Sequence, residues 1–166
     1  MRATGSSMLI RALGVLLLAS VAGCGWQLQG RTRLPEAMSI TYVDAKDRYS
    51  DFTRELETHL RASGARLVEQ SALATASIRV LRDESGQRVL SISARNTPQE
   101  YEVYYIVEYA VSAGTTELLP TQRLELTRDY TYDEAAVLAK QREEASLRAA
   151  LARDLAAQVL RRVASL

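Results

Sequence analysis

The sequence predicts an α+β fold, two helices packed on one face of a mostly antiparallel, about four-stranded sheet. Three observations carry this reading. Glu100 to Ala113 alternates along its whole length as a strand. Asp133 to Val163 has no Gly or Pro and repeats Leu147, Leu151, Leu155, Val159 and Val163 at every fourth residue. The elements follow in the order β-α-β-β-β-β-α with mostly antiparallel neighbours.

Taken in order, Ser39-Ile-Thr-Tyr-Val-Asp44 alternates as a first strand. Ser50 or Asp47 caps a helix over residues 51–62, with Phe52, Leu56 and Leu60 on one face and Gly64 stopping it. Ser77–Arg82 and Gln87–Ala94, joined by a turn-like Ser85-Gly86, read as a hairpin. Asn96-Thr97-Pro98 then breaks the chain ahead of the long strand. On that strand Tyr101, Val103, Tyr105, Val107, Tyr109 and Val111 face one way, and Glu102, Tyr104, Ile106, Glu108 and Ala110 the other. This is a core strand with its tyrosine hydroxyls at the rim.

Gly114 to Pro120 reads as a loop. Thr121–Thr131 returns as a strand with Leu124, Leu126 and Tyr130 on one side. The last helix has Asp133 and Glu134 at its start and Arg161-Arg162 at its end, complementing the helix dipole, and an i,i+4 pair in Glu144 and Arg148. Its i+4 ladder drifts around the helix and suits packing on a sheet. The far face of the sheet, mixed in Glu, Arg, Tyr and Ile, is left as a face on which something could dock.

Composition narrows the function. The 166 residues carry 21 Lys+Arg against 20 Asp+Glu, a formal charge of +1, so there is neither a strongly basic surface for nucleic acid nor an acidic tail. One cysteine excludes an internal disulfide framework and any Cys-cluster metal site.

That cysteine closes a distinctive start. Arg2 and Arg11, the apolar run Ala12–Ala22 and the small Gly23 before Cys24 have the layout of a secretory signal peptide. As a helix the run rises about 16 Å, half the ~30 Å needed to span a bilayer. Val21-Ala22-Gly23-Cys24 resembles the bacterial lipobox, in which cleavage falls before the cysteine. The resemblance implies that residues 1–23 are removed and that Cys24 becomes the lipid attachment site, with a diacylglyceryl group on sulfur and a third acyl chain on nitrogen. Two acyl chains already anchor stably, at about 0.8 kcal/mol per buried CH₂. Gly25, where an Asp would resemble an inner-membrane retention signal, implies the outer membrane. What remains is a lipidated arm, 24–38, interrupted by Gly25, Gly30 and Pro35, and a single α+β domain, 39–166, facing the periplasm. Losing Arg2 and Arg11 changes the formal charge from +1 to −1.

No chemistry stands out. His59, the only histidine, lies inside the first helix with no second His or Cys at ligand spacing, and no nucleophile elbow, phosphate loop or dinucleotide fingerprint is present. The sequence therefore suggests no enzyme, no cofactor and no metal.

A set of short motifs then lines up. The lipobox running into Cys24-Gly25-Trp26-Gln27-Leu28, the following Leu34-Pro35 and Met38, the strand start Gln99-Glu100-Tyr101, and Ala136-Val-Leu-Ala-Lys140 together resemble the LPS-assembly lipoprotein family LptE, formerly RlpB. One departure is Gln29, where many members carry a basic residue. The resemblance implies a non-enzymatic outer-membrane lipoprotein that plugs the barrel of the LPS-assembly protein LptD, helps that barrel assemble, and binds lipopolysaccharide on its way to the outer leaflet. It implies two lipopolysaccharide-binding positions, Arg95 in Ala94-Arg95-Asn96 and Lys140 in Leu138-Ala139-Lys140. A guanidinium and an ammonium suit the phosphates and carboxylates of that glycolipid. The competing expectation is a periplasmic-facing lipoprotein that binds a transporter or a small ligand through its uncovered sheet face, in a pocket near Tyr104 and Ile106.

Overall fold

Alternation along Pro98–Ala113 produces a strand whose odd-numbered side chains from Val103 to Val111 are all buried, and the rest of the fold is arranged around it. The structure, a computed structural model, describes residues 33–166; Cys24, Trp26 and Gln29 lie outside the described residues. The elements are β1 (Ile40–Ala45), α1 (Asp51–Ala62), β2 (Arg66–Val68), β3 (Ala76–Ile92), β4 (Pro98–Ala113), β5 (Thr116–Thr131) and α2 (Val137–Ala164). They form one five-stranded sheet in the order β2-β1-β3-β4-β5, parallel at β2-β1-β3 and antiparallel at β3-β4-β5.

The predicted fold class holds. The inner face of β4 meets Phe52, Leu56 and Leu60 of α1 and Leu151, Leu155, Val159 and Val163 of α2 in a single apolar cluster. Helix α1 starts where its cap residue predicts: the Ser50 hydroxyl accepts from Thr53 N at 3.0 Å, and Gly64, at φ +95°, ends it. Asp133 accepts from Ala135 N at 2.9 Å in the short turn before α2. The Glu144–Arg148 pair forms on α2. Leu34 and Met38, just ahead of β1, pack against the core, Met38 fully buried.

The predicted hairpin at Ser85-Gly86 does not form. Ser77–Arg82 and Gln87–Ala94 are largely one strand, β3, which runs straight through Gly86. Two properties of β3 explain the misreading. A bulge at Leu81 shifts the phase: Ile78 and Val80 face inward before it, whereas Asp83, Ser85, Gln87 and Val89 pair with the inward residues Val107, Tyr105, Val103 and Tyr101 after it. Gly86 meanwhile pairs with Tyr104, whose ring lies so close that a Cβ at position 86 would meet the phenol oxygen at 2.6 Å. Glycine here permits close approach, not a turn. The reversal comes at Ser93–Thr97, with Asn96 in the left-handed region at φ 61°.

Two further expectations change. The loop expected from Gly114 to Pro120 shrinks to a tight turn with Gly114 at φ +56°, and Pro120 sits within β5. Strand β5 is an edge, where a residue without an N–H is tolerated, and its pairing with β4 is irregular there. Strand β2, three residues long, is the strand that periodicity could not register.

The outer sheet face is filled by its own side chains. Arg82 pairs with Glu84 at 2.6 Å and with Glu108 at 3.6 Å, Arg123 with Glu108 at 3.3 Å and Glu125 at 2.8 Å, and Arg88 with Glu102 while its guanidinium lies 5.9 Å from the Tyr104 ring centre. The neighbouring carboxylates hold Arg82 and Arg123 still more firmly protonated than usual. Ile106, flanked across the sheet by Glu84 and Glu125, is 7% exposed although no helix covers it. Tyr104 rests on Gly86, so it and Ile106 form part of a filled surface among the described residues.

Candidate functional site

One end of the molecule gathers cations, aromatic rings and exposed apolar side chains. Arg95 sits in the β3–β4 reversal, which is tied down by its own hydrogen bonds. Ser93 N donates to Thr97 O at 2.8 Å and Asn96 N to Ser93 O at 2.9 Å. The Ser93 hydroxyl accepts from Arg95 N at 3.2 Å and lies 2.7 Å from the Thr97 hydroxyl. The loop thus fixes the Arg95 backbone and leaves its side chain exposed, with no ion pair among the described residues.

Lys140 reaches the same end from α2. Thr131 pairs with Glu100, and Tyr132 N donates to Gln99 O at 2.7 Å, so the chain leaving β5 is held beside the start of β4 as it turns into the helix. There the Lys140 ammonium donates to Glu143 at 2.9 Å and lies 6.0 Å from the Tyr130 ring centre, its side chain only 20% exposed. Tyr130 stacks on Tyr101 at 5.7 Å, Tyr132 meets Tyr101 edge-on at 5.3 Å, and the Tyr130 hydroxyl donates to Gln87 at 2.8 Å. Burial, reinforced by Glu144 and the neighbouring phenols, pushes the Tyr130 phenol up, so it stays a neutral donor.

Around these cations apolar side chains face outward. Ile92 is 59% exposed at the end of β3, and Val137 and Leu138, in the first turn of α2, are 41% and 72% exposed. Cations beside uncovered aliphatic groups match a ligand that is itself anionic at one part and apolar at another.

Elsewhere the polar groups have structural work. Asp83 accepts from the Ser50 hydroxyl at 2.5 Å and from the Tyr105 hydroxyl at 2.8 Å, while the Tyr105 oxygen accepts from Phe52 N at 3.2 Å. This cluster ties the start of α1 to the sheet. Burial first, then the Asp83 bond and charge, raise the Tyr105 phenol far above its ordinary range. His59 is half-buried on α1, and no group of three His, Cys, Asp or Glu suited to a metal occurs among the described residues.

The order of elements and the motifs at this end point to one family. A family model described as LptE, lipopolysaccharide-assembly, matches residues 38–163. The chain belongs to the LptE family. Similar proteins include the LPS-assembly lipoprotein LptE of Pectobacterium atrosepticum, 26% identical over 156 residues that cover 93% of this chain and 83% of the relative. That of Yersinia enterocolitica is 29% identical over 154 residues, 92% of this chain and 72% of the relative. Among solved structures, rare lipoprotein B from Shewanella oneidensis superposes with a TM-score of 0.66 at 28% identity, covering 76% of this chain and 94% of that one. Lipoprotein B from Nitrosomonas europaea gives 0.71 at 26% identity, with 85% and 91% covered. As an LptE-family lipoprotein of lipopolysaccharide assembly, the chain is not an enzyme.

The structure places Arg95 and Lys140 at one end of this LptE-family fold, on separate elements joined through the β4–β5 pairing. Reading by sequence missed the tyrosines that frame Lys140. Their signal was present in the alternation of β4 and β5, which puts Tyr101 and Tyr130 on one face, but the cross-strand register that makes them neighbours is not written in either strand alone.

Proposed function

We propose that this LptE-family chain is an outer-membrane lipoprotein, anchored through acylated Cys24, that occupies the lumen of an LptD-type β-barrel as a one-to-one plug. It assists assembly of that barrel and binds lipopolysaccharide during delivery to the outer leaflet, using Arg95 and Lys140. The observation that carries the reading is that Arg95, Lys140 and the exposed Ile92, Val137 and Leu138 lie at the same end of the fold, the end of the sheet far from residue 33. Lipopolysaccharide has the matching chemistry, phosphates and carboxylates next to acyl chains. An outer sheet face already neutralised by its own ion pairs supports enclosure by another protein, because it adds no large field of one sign to a lumen.

The test is binding of lipopolysaccharide to the purified protein and to its Arg95→Asp/Lys140→Asp variant. Reversing two placed cations should weaken binding at least about tenfold without unfolding the domain. Equal binding by a folded variant removes both residues from the site.

A further inference from the structure

At the opposite end of the sheet, a groove of about 520 Å³ lies between β5 and the last turns of α2, lined by Tyr109, Gln122, Gln158, Arg161, Arg162 and Ser165 among others. Neither Arg161 nor Arg162 forms an ion pair among the described residues. Their ordinary duty is to complement the helix C-terminus, but that does not account for Tyr109. Its side chain is 1% exposed and lines the groove, and its hydroxyl makes no hydrogen bond among the described residues. Burial pushes this phenol up against the opposing effect of Arg162, so it remains protonated and able to donate. The Ser165 hydroxyl is already spent on Arg162 O at 2.7 Å, and the Gln122 amide nitrogen on the carbonyls of Pro120 and Thr121. The donors left for a ligand are the two guanidiniums, the phenol and the Gln158 amide. The two full positive charges exceed the roughly half negative charge of the helix C-terminus together with the α-carboxylate of Leu166, so the groove favours an oxyanion.

We propose that this groove binds the phosphate of an anionic phospholipid headgroup and seats the anchored end of the protein against the membrane. The inference rests on the proposed acylation of Cys24. Strand β1 starts at this end, with Thr41 paired to Ala76, and the Thr75 hydroxyl bonds to Ala37 O at 2.6 Å and to Ile40 O at 2.9 Å, fixing where the chain comes in. Cys24 precedes Arg33, the first described residue, by nine positions, a reach of about 30 Å when extended. A tether of that reach lets this end of the body approach the bilayer surface. From Pro98 to Tyr109 strand β4 rises about 36 Å, and this stretch separates the groove from the Arg95 end.

The experiment uses the acylated protein in non-ionic detergent, titrated with dihexanoyl phosphatidylglycerol, dihexanoyl phosphatidylcholine and inorganic phosphate, and followed by tyrosine fluorescence. Phosphatidylglycerol should bind saturably and about tenfold more tightly than the other two. Arg161→Gln/Arg162→Gln should weaken it about tenfold and Tyr109→Phe about threefold, each with the domain still folded. Arg95→Asp/Lys140→Asp should leave this titration as it is, which separates the groove from the lipopolysaccharide reading. Equal affinity in the Arg161/Arg162 variant overturns the site, and inorganic phosphate or phosphatidylcholine binding as tightly as phosphatidylglycerol overturns the anionic headgroup. A mature mass without acyl chains overturns the membrane placement.

Discussion

The phenol ring of Tyr104 lies directly over Gly86, leaving 2.6 Å from its oxygen and 2.8 Å from its Cζ to the point where a Cβ at position 86 would stand. Arg88 in turn lies over the Tyr104 ring, with its guanidinium 5.9 Å from the ring centre. Gly86→Ala should therefore push the ring away from β3 and cost about 1 kcal/mol, despite the better strand propensity of alanine. Denaturant unfolding checks this, and in a Tyr104→Ala background the same change should cost little or nothing.

The Ser50–Asp83–Tyr105 cluster makes stability depend on alkaline pH. The Tyr105 phenol titrates well above the ordinary value near 10 in the folded chain, so the native state holds its proton more tightly than the unfolded chain does. Its stabilising contribution is complete below about pH 10 and is lost as pH rises from there toward the folded value. Unfolding measured from pH 8 to pH 11 should show stability falling above pH 10. Tyr105→Phe should remove this tyrosine's share of the fall, at the expense of the hydrogen bonds to Asp83 and from Phe52 N.

Glu143 competes for Lys140. The carboxylate sits 2.9 Å from the ammonium, where a lipid phosphate would have to displace it or share the charge. Glu143→Gln should strengthen lipopolysaccharide binding by about two- to fivefold and barely change stability, since such helix pairs contribute only about 0.3–0.5 kcal/mol. Equilibrium binding at two salt concentrations checks it, with the gain shrinking as salt rises.

Tyr130 separates a structural from a ligand-facing effect. Tyr130→Phe removes the hydrogen bond to Gln87 but keeps the ring beside Lys140, and should cost about 1 kcal/mol with lipopolysaccharide binding unchanged. Tyr130→Leu also removes the ring, and should lower binding as well by loosening Lys140. The pair of variants is compared by thermal unfolding and by binding.

The fold was legible wherever one residue pattern determined one element. Ser50 and Gly64 bracket α1, and the fourfold apolar ladder sets α2, because each acts within its own segment. Strand β3 was not legible, because its bulge at Leu81 exchanges inner and outer positions midway and makes one strand read as two. Gly86 compounded this, since its reason for being glycine is a ring on another strand. The same limit applied at the site. Arg95 and Lys140 could be named from motifs, but Tyr101, Tyr130 and Tyr132 become a cluster only through the β4–β5 register. The groove beside Tyr109 likewise needs α2 folded back along β5 before Arg161 and Arg162 meet the phenol.

The central claim is that this protein works inside a barrel. The most direct measurement is purification of the native chain from outer membranes in mild detergent, followed by the mass of the particle that carries it. The account predicts a stable one-to-one complex with an LptD-type β-barrel and little or no free protein. A chain that runs as a free monomer while the barrel folds without it would contradict the account.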